Sequence, residues 1–383
     1  MAGETRLQAA ADSVVLVTRA HDERALGSAE FRGVRAREVV EHIDARVDGH
    51  RLSAGGFWVV VGDFDGRIDA WRMGEVDRVD AGGVEASPAP PSGREWQGPA
   101  ADAWTTSLSR DAYMGGVSRI REDIRNGTVY QVNLCRVLSA PLSAGPEGPD
   151  AVALSERLAI GNPARYASRI VIPAGDAHPG AWIVSASPEL YLGVEGDRLR
   201  SSPIKGTAAP GVAMLDKDTA ENVMITDLVR NDLSHVAQPG SVTVPELLAE
   251  HQHPGLTHLE STVEASLAPR YSWTAPMWPA LLDGTFPPGS VSGAPKSSAL
   301  RIIAREERAP RGPYCGAIGW IDADARRAEL AVGIRTFWWR DGRLRFGTGA
   351  GITWGSDPAG EWEETELKAS RLIGLASAGI LHS

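Results

Sequence analysis

The sequence holds only two cysteines, Cys135 and Cys315, in 383 residues. So few and so widely spaced, they exclude a disulfide framework and a thiolate metal centre, and they read as buried thiols of a cytosolic protein. No stretch approaches the ~18 apolar residues that a membrane-spanning helix needs. The first twenty residues carry Glu4 and an apolar run too short for a signal peptide, so the expectation is a cytoplasmic protein without a membrane partner. Positive charge is also in deficit. With 39 basic against 49 acidic residues the net charge is −10, which disfavours nucleic acid as a partner. An anionic small substrate would need local cations or a metal ion. There is no internal repeat and no glutaminase nucleophile motif.

What is present is the composition of a globular chain, 43% hydrophobic and 23% charged, enough for two ordinary domains or one large one. Ser13 to Thr18 and Phe57 to Val61 read as strands, the latter followed by the turn signal Asp63-Phe64-Asp65-Gly66. Ala86 to Gly93 is a Pro/Ser/Gly-rich loop. We therefore divide the chain into 1–98, an N-terminal part ending in that loop, and 99–383, which carries every candidate chemical group. Residues 104–126 suit a helix closed by Asn126-Gly127, and Thr128 to Leu138 reads as a strand. Trp182 to Val184 and Leu190 to Leu192, with a turn at Glu195-Gly196-Asp197, read as consecutive antiparallel strands. Residues 314–321, 329–340 and 343–352 read as a meander turned by Arg340-Asp341-Gly342. Helices at about 217–234, 296–307 and 357–375 separate or follow these strands, so the fold class expected is α+β with large antiparallel sheets.

Three constellations carry possible chemistry. Asp218 and Glu221 share a face of one predicted helix; Glu361, Glu364 and Lys368 line a face of another, which Asp357 would cap with Pro358 at its first position. Opposed, the two faces would make an oxygen-rich site suited to Mg²⁺; apart, they are solvated helix surfaces. Glycine-bearing turns come next. The run from Gly289 to Lys296 leads into a helix whose N-terminal amides could receive an anion, but it lacks the Walker A spacing. Gly347, Gly349 and Gly351 lie between strands and not before a helix, which rejects a dinucleotide fold and leaves open either close approach to a ligand or ordinary strand glycines. The third group is Lys205, between Ile204 and Gly206, with Glu189 sixteen residues upstream. A desolvated lysine can be a nucleophile and a carboxyl its proton partner, although a lone lysine is more often a surface charge. Arg335 reads as lying in a strand, on one face with Ala331 and Gly333, and suits a substrate carboxylate or an exposed sheet face.

Together, the ordered segments GTVYQVNL, SASPE, PIKGT, KDTAEN, PGSVTVPEL, GSVSGAPK, RGPYCGAIGWID, GIRT, GAGIT and SDPAGEWEET resemble the chorismate-utilising enzymes, and within them the aminodeoxychorismate synthase component I branch, from about Gly127 to Ile373. The resemblance implies two subdomains whose antiparallel sheets pack around a central active site with helices outside. It implies that Glu221, Glu361 and Glu364 hold Mg²⁺ against a chorismate carboxylate, with Asp218 on a metal-bound water. Tyr314, Arg335, Gly349 and Gly351 would clamp the other carboxylate near Lys368, with His258 and Ser290 along the reacting ring. Water-using members carry a lysine base where this chain has Gln131, and anthranilate synthases carry alanine where it has Lys205. The pair points to amination at C4, with ammonia supplied by a separate glutamine amidotransferase subunit, component II. The alternatives implied are an anthranilate synthase component I and a non-catalytic homologue. Leu190, Ala208-Ala209 and Glu260 depart from the family pattern, Glu260 placing a charge close to His258.

Overall fold

In the computed structural model, residues 27–78, 93–208, 213–214, 216–253 and 256–379 are described. The strand expected at Ser13 to Thr18 and most of the loop from Ala86 to Gly93 lie outside them, as does Ala209. The strands are β1 (Ser28–Phe31), β2 (Val34–Asp44), β3 (Phe57–Gly62), β4 (Ile68–Arg78), β5 (Thr105–Thr106), β6 (Gln131–Pro141), β7 (Tyr166–Ile172), β8 (Ala181–Ser187), β9 (Leu190–Glu195), β10 (Arg198–Ser202), β11 (Ile204–Ala208), β12 (Thr243–His253), β13 (Leu256–Ser266), β14 (Gly293–Ala294), β15 (Ala317–Asp322), β16 (Arg327–Val332), β17 (Thr336–Arg340) and β18 (Arg343–Ile352). The helices are α1 (Ala45–Asp48), α2 (Arg110–Arg125), α3 (Ala151–Gly161), α4 (Asp216–Ser234), α5 (Met277–Thr285), α6 (Lys296–Glu306) and α7 (Pro358–Ala376).

Every pairing between these strands is antiparallel, and the pairings form one continuous run. From one end the order is β6, β18, β17, β8, β7, β1, β2, β4, β3, β15, β16, β9, β10 and β13, with β5 and β14 on β6 and with β11 and β12 on β13. The architecture is α+β, as expected. The N-terminal strands are integral to it: β1 joins β7, and β3, a wholly buried Phe-Trp-Val-Val-Val-Gly run, joins β15.

Several local expectations shift. The helix expected from 104 begins at Arg110, because Ser109 caps it by accepting from Ala112 N at 3.3 Å while Thr105 and Thr106 pair with β6. Its end is as read, with Gly127 left-handed at φ 73°. The strand expected from Thr128 starts at Gln131. Strands β9 and β10 form the expected hairpin, but β8 does not pair with β9; it lies between β7 and β17, on the other side of the run. The meander also breaks. Residues 329–340 divide into β16, which pairs with β9, and β17, which pairs with β8. The break falls at Gly333 to Arg335. A side chain at Gly333 would overlap the Pro313 carbonyl, and Arg335 is itself left-handed at φ 51°, so it does not share a strand face with Ala331. The β17–β18 hairpin turns through Asp341 and Gly342 at φ 55° and 67°, the geometry of a type I′ turn.

Two apolar clusters hold the helices. The larger includes Trp58, Trp71, Ile225, Val229, Leu233, Trp278 and Ile302 and anchors α4, α5 and α6. The second, with Trp96, Leu154, Trp182, Phe337, Phe346, Leu372 and Leu375, seats α3 and α7 on β8, β17 and β18. Among the described residues no helix is long and apolar enough to cross a membrane. Helix α7 starts as read: Asp357 accepts from Gly360 N at 2.8 Å, with Pro358 at the first helical position. Losing that cap leaves helix amides unpaired, so Asp357→Ala should lower the unfolding free energy by about 1 kcal/mol, read from urea denaturation midpoints.

Candidate active site

The two ends of the sheet supply the two halves of the site. At the β13 end, Lys205 lies on β11, where the register slips between Ile204↔Glu260 and Thr207↔His258. Gly206, at φ 85°, occupies the slip, and Asp218 of α4 packs against its bare Cα, where a side chain would meet the Asp218 Cβ at 2.8 Å. Lys205 Nζ donates to the Ser290 carbonyl at 2.9 Å. The Ser290 side chain hydrogen-bonds Glu189. Glu189 is held by its own tripeptide: Ser187 Oγ donates to Val332 O at 2.6 Å and accepts from Glu189 N at 3.3 Å.

Glu189 is only 3% exposed. Burial raises its carboxyl pKa to about 7, against the hydrogen bond from Ser290 and the charges of Lys205 and Arg335, while Glu260 pushes it further up. Arg335 faces Glu189 electrostatically from the β16–β17 break; burial lowers its pKa and Glu189 counteracts. Lys205, Ser290, Glu189 and Arg335 are thus brought together, with a carboxyl that is protonated at mildly acid pH beside an amine. His258 is buried and sits opposite His251 on β12 and Thr207 on β11, one strand away from Lys205. The charge of Glu260 is felt at Glu189, a role that its proximity to His258 in sequence did not suggest.

At the β6 end, the alternate glycines of β18 leave room for side chains packed against them. A side chain at Gly347 would overlap the Tyr314 ring, one at Gly349 would crowd Cys135 Sγ, and one at Gly351 would overlap the Gln131 amide. Tyr314 is buried, and its hydroxyl accepts from Cys135 Sγ at 3.9 Å. Both cysteines are free and buried, as expected, and Asn133 Nδ2 donates to each, at 3.2 Å for Cys135 and 3.9 Å for Cys315. The amide of Gln131 is buried with neither its Nε2 nor its Oε1 partnered. Beyond Gly351 lies Glu221, whose Oε2 is 3.5 Å from where a Cβ would be.

Helices α4 and α7 do oppose their acidic faces. Glu361 and Glu221 meet through a residue the sequence reading passed over, Lys217, whose Nζ is 2.8 Å from Glu361 Oε1 and 3.9 Å from Glu221 Oε1. Its spacing of four residues before Glu221 was the available signal. Lys368 pairs with Glu364 at 2.5 Å and donates to the Gly349 carbonyl at 3.2 Å. Burial raises the Glu221 carboxyl, against Lys205 and Lys217. Burial also pushes Glu364 up, but Lys368, Lys217 and Lys205 together hold it below the ordinary value. Lys205 therefore acts on both halves. Among the described residues no three His, Cys, Asp or Glu side chains converge as a ready-made metal cage. Yet Glu221 Oε1 and Glu361 Oε2 are buried without hydrogen-bond partners, which fits Mg²⁺, a cation that takes one or two carboxylates and completes its shell with water and substrate.

The Gly289–Lys296 segment is held by its neighbours on both sides. Gly293 and Ala294 pair with β6, and Lys296 Nζ binds Asp232 Oδ2 at 2.7 Å and the Thr285 carbonyl at 3.0 Å, tying α6 to α4. Behind Glu189 and Ser290 a cavity of about 20 Å³, the size of one water, reaches Asp232. A larger cavity of about 410 Å³, lined by Trp71, Trp182 and Trp338, shares no residue with the site.

Comparison with known proteins points the same way. The family model for chorismate binding enzymes matches residues 72–374. The chain is 36% identical over 283 residues to anthranilate synthase component 1 of Streptomyces coelicolor, covering 70% of this chain and 52% of that protein. It is 35% identical over 283 residues to aminodeoxychorismate synthase component 1 of Salmonella typhimurium, covering 71% of this chain and 59% of that protein. The chain thus spans little more than half the length of these relatives. In fold it is similar to anthranilate synthase component I from Streptococcus pneumoniae, with a TM-score of 0.70 at 24% identity over 91% of this chain and 90% of that one. It is also similar to the menaquinone-specific isochorismate synthase MenF from Escherichia coli, with a TM-score of 0.70 at 19% identity over 92% and 88%.

The Glu189 environment predicts a pH effect. Its folded pKa of about 7 lies above the ordinary 4.5, so the stability linked to its proton is complete below pH 4.5 and is lost as pH rises towards 7. Across that window the wild type should lose roughly 3 kcal/mol relative to Glu189→Gln, read from denaturant melts of both at each pH. Parallel pH curves would contradict the buried, proton-holding carboxyl.

Proposed function

This chain belongs to the chorismate binding enzyme family, and from that premise we propose that it converts chorismate and ammonia to 4-amino-4-deoxychorismate, acting as an aminodeoxychorismate synthase component I. The observation that carries the reading is Lys205 beside Ser290 and the proton-holding Glu189, with an amide, Gln131, and not a base at the opposite wall. An amide cannot deprotonate water, whereas ammonia is nucleophilic without a base.

In the proposed sequence Lys205, as the free amine, attacks C2 of chorismate. Both conjugated ring double bonds shift, and the 4-hydroxyl departs with the Glu189 proton as water. Ammonia then adds at C4, both double bonds shift back, the C2–N bond to Lys205 breaks, and the surplus proton of the new amine returns to Glu189. The net exchange is hydroxyl for amine at one carbon, with one water released. Arg335 faces this centre and supplies a positive charge for a substrate carboxylate, and Tyr314, Gly349 and Lys368 shape the far wall. Glu221 and Glu361, with Glu364 beside them, would hold Mg²⁺, which supplies charge neutralisation for a carboxylate approaching an acidic protein. Ammonia would come from a glutamine amidotransferase partner in the cytoplasm. A second reading, anthranilate synthase component I, is favoured by the comparable identity to proteins of that name.

Incubation with chorismate, Mg²⁺ and an ammonium salt, followed by mass spectrometry, separates the two. We expect 4-amino-4-deoxychorismate; anthranilate would select the second reading, and isochorismate or no turnover would refute both. Lys205→Ala should slow amination by at least about 10³-fold while chorismate binding stays measurable, and a near-normal rate would remove its nucleophilic role.

A further inference from the structure

Glu361 is 3% exposed, and a carboxylate that deeply buried is costly unless a cation meets it. Among the described residues the cation that meets it is Lys217, one turn before Glu221 on α4, at 2.8 Å. The match is incomplete. The ammonium reaches one oxygen of Glu361, stands 3.9 Å from Glu221 and leaves Glu361 Oε2 and Glu221 Oε1 without hydrogen-bond partners. Glu364 adds a further negative charge that acts on Lys217. Lys205 also acts on Glu221 and Glu364, but the ammonium groups paired directly with the three carboxylates are Lys217 and Lys368, and the unpartnered oxygens lie where Lys217 sits.

The side chain of Lys217 is 39% exposed, so it reaches this place from the solvent side along a long flexible stem. A divalent ion offers twice its charge and could use the two unpartnered oxygens together. Lysine and metal cannot both occupy the gap between Glu221 and Glu361. We propose that Lys217 is a built-in counter-cation: it holds Glu221 and Glu361 together in the metal-free protein and is displaced by a divalent cation, whose affinity is set by that competition. The inference rests on the reading that these carboxylates take a divalent cation, and it adds that the chain carries its own competitor for the position.

The test is Mn²⁺ binding by the full chain, followed by the electron paramagnetic resonance signal of free Mn²⁺, for the wild type, Lys217→Met, Lys217→Gln and Lys217→Arg. Circular dichroism establishes that each variant is folded. Removing the competitor should tighten Mn²⁺ about five- to tenfold in the Met and Gln variants. Arginine, which can grip both oxygens of Glu361, should weaken it. Without metal the Met variant should melt below the wild type, and saturating Mn²⁺ should close the gap. If the wild type binds Mn²⁺ but the Met and Gln variants bind it equally or more weakly, the competition is overturned while the metal site stands. If neither the wild type nor the Met and Gln variants bind Mn²⁺, the metal reading and this inference both fall.

Discussion

The site depends on one constraint: the two ends of a single antiparallel run of strands must meet. Strands β6 and β18 stand at one end and β11 and β13 at the other, yet Lys205 on β11 acts electrostatically on Glu221 and Glu364, while Glu221 lies beside Gly351 of β18. Helices α4 and α7 join the ends through Lys217 and Glu361. The larger apolar cluster seats α4 and takes Trp362 near the start of α7, whereas the second seats the C-terminal half of α7, so α7 spans both cores. The N-terminal strands β1 to β4 contribute no candidate catalytic group, but without their pairings the run would fall into two pieces.

That geometry explains the electrostatics. Glu189 and Glu221 are both pushed towards protonation by burial, whereas Glu364, paired with Lys368, is held ionised. Glu189 therefore keeps a proton available on one wall, while on the other Glu364 keeps its negative charge and Glu221, raised by burial, is the carboxyl that a nearby cation would hold ionised. Separating acid and metal functions within one pocket needs different environments for chemically identical groups, and partner placement supplies them.

Local signals carried much of this in the sequence. The Asp357 cap, the Asp341-Gly342 hairpin and the Gly127 helix end depend on neighbours within a few residues and were legible. Long-range consequences were not. Nothing near residue 333 announces that the chain leaves one half of the sheet for the other, because the cause is the Pro313 carbonyl against Gly333 and a left-handed Arg335. The glycines of β18 could be counted, but their role as room for Tyr314, Cys135 and Gln131 needed the third dimension. Lys217 was hidden for the same reason, since its decisive partner is 144 residues away. The sequence itself paired Lys205 with Glu189, and the resemblance to chorismate-utilising enzymes added Ser290; the structure adds their contacts.

The central claim is that Lys205 bonds covalently to the substrate. Intact-protein and peptide mass spectrometry after exposure to chorismate and Mg²⁺ without ammonia addresses it directly. The account predicts an adduct of chorismate less one water on the peptide containing Lys205, discharged when ammonium is added. Aminated product formed by an enzyme in which that peptide never gains mass would contradict it.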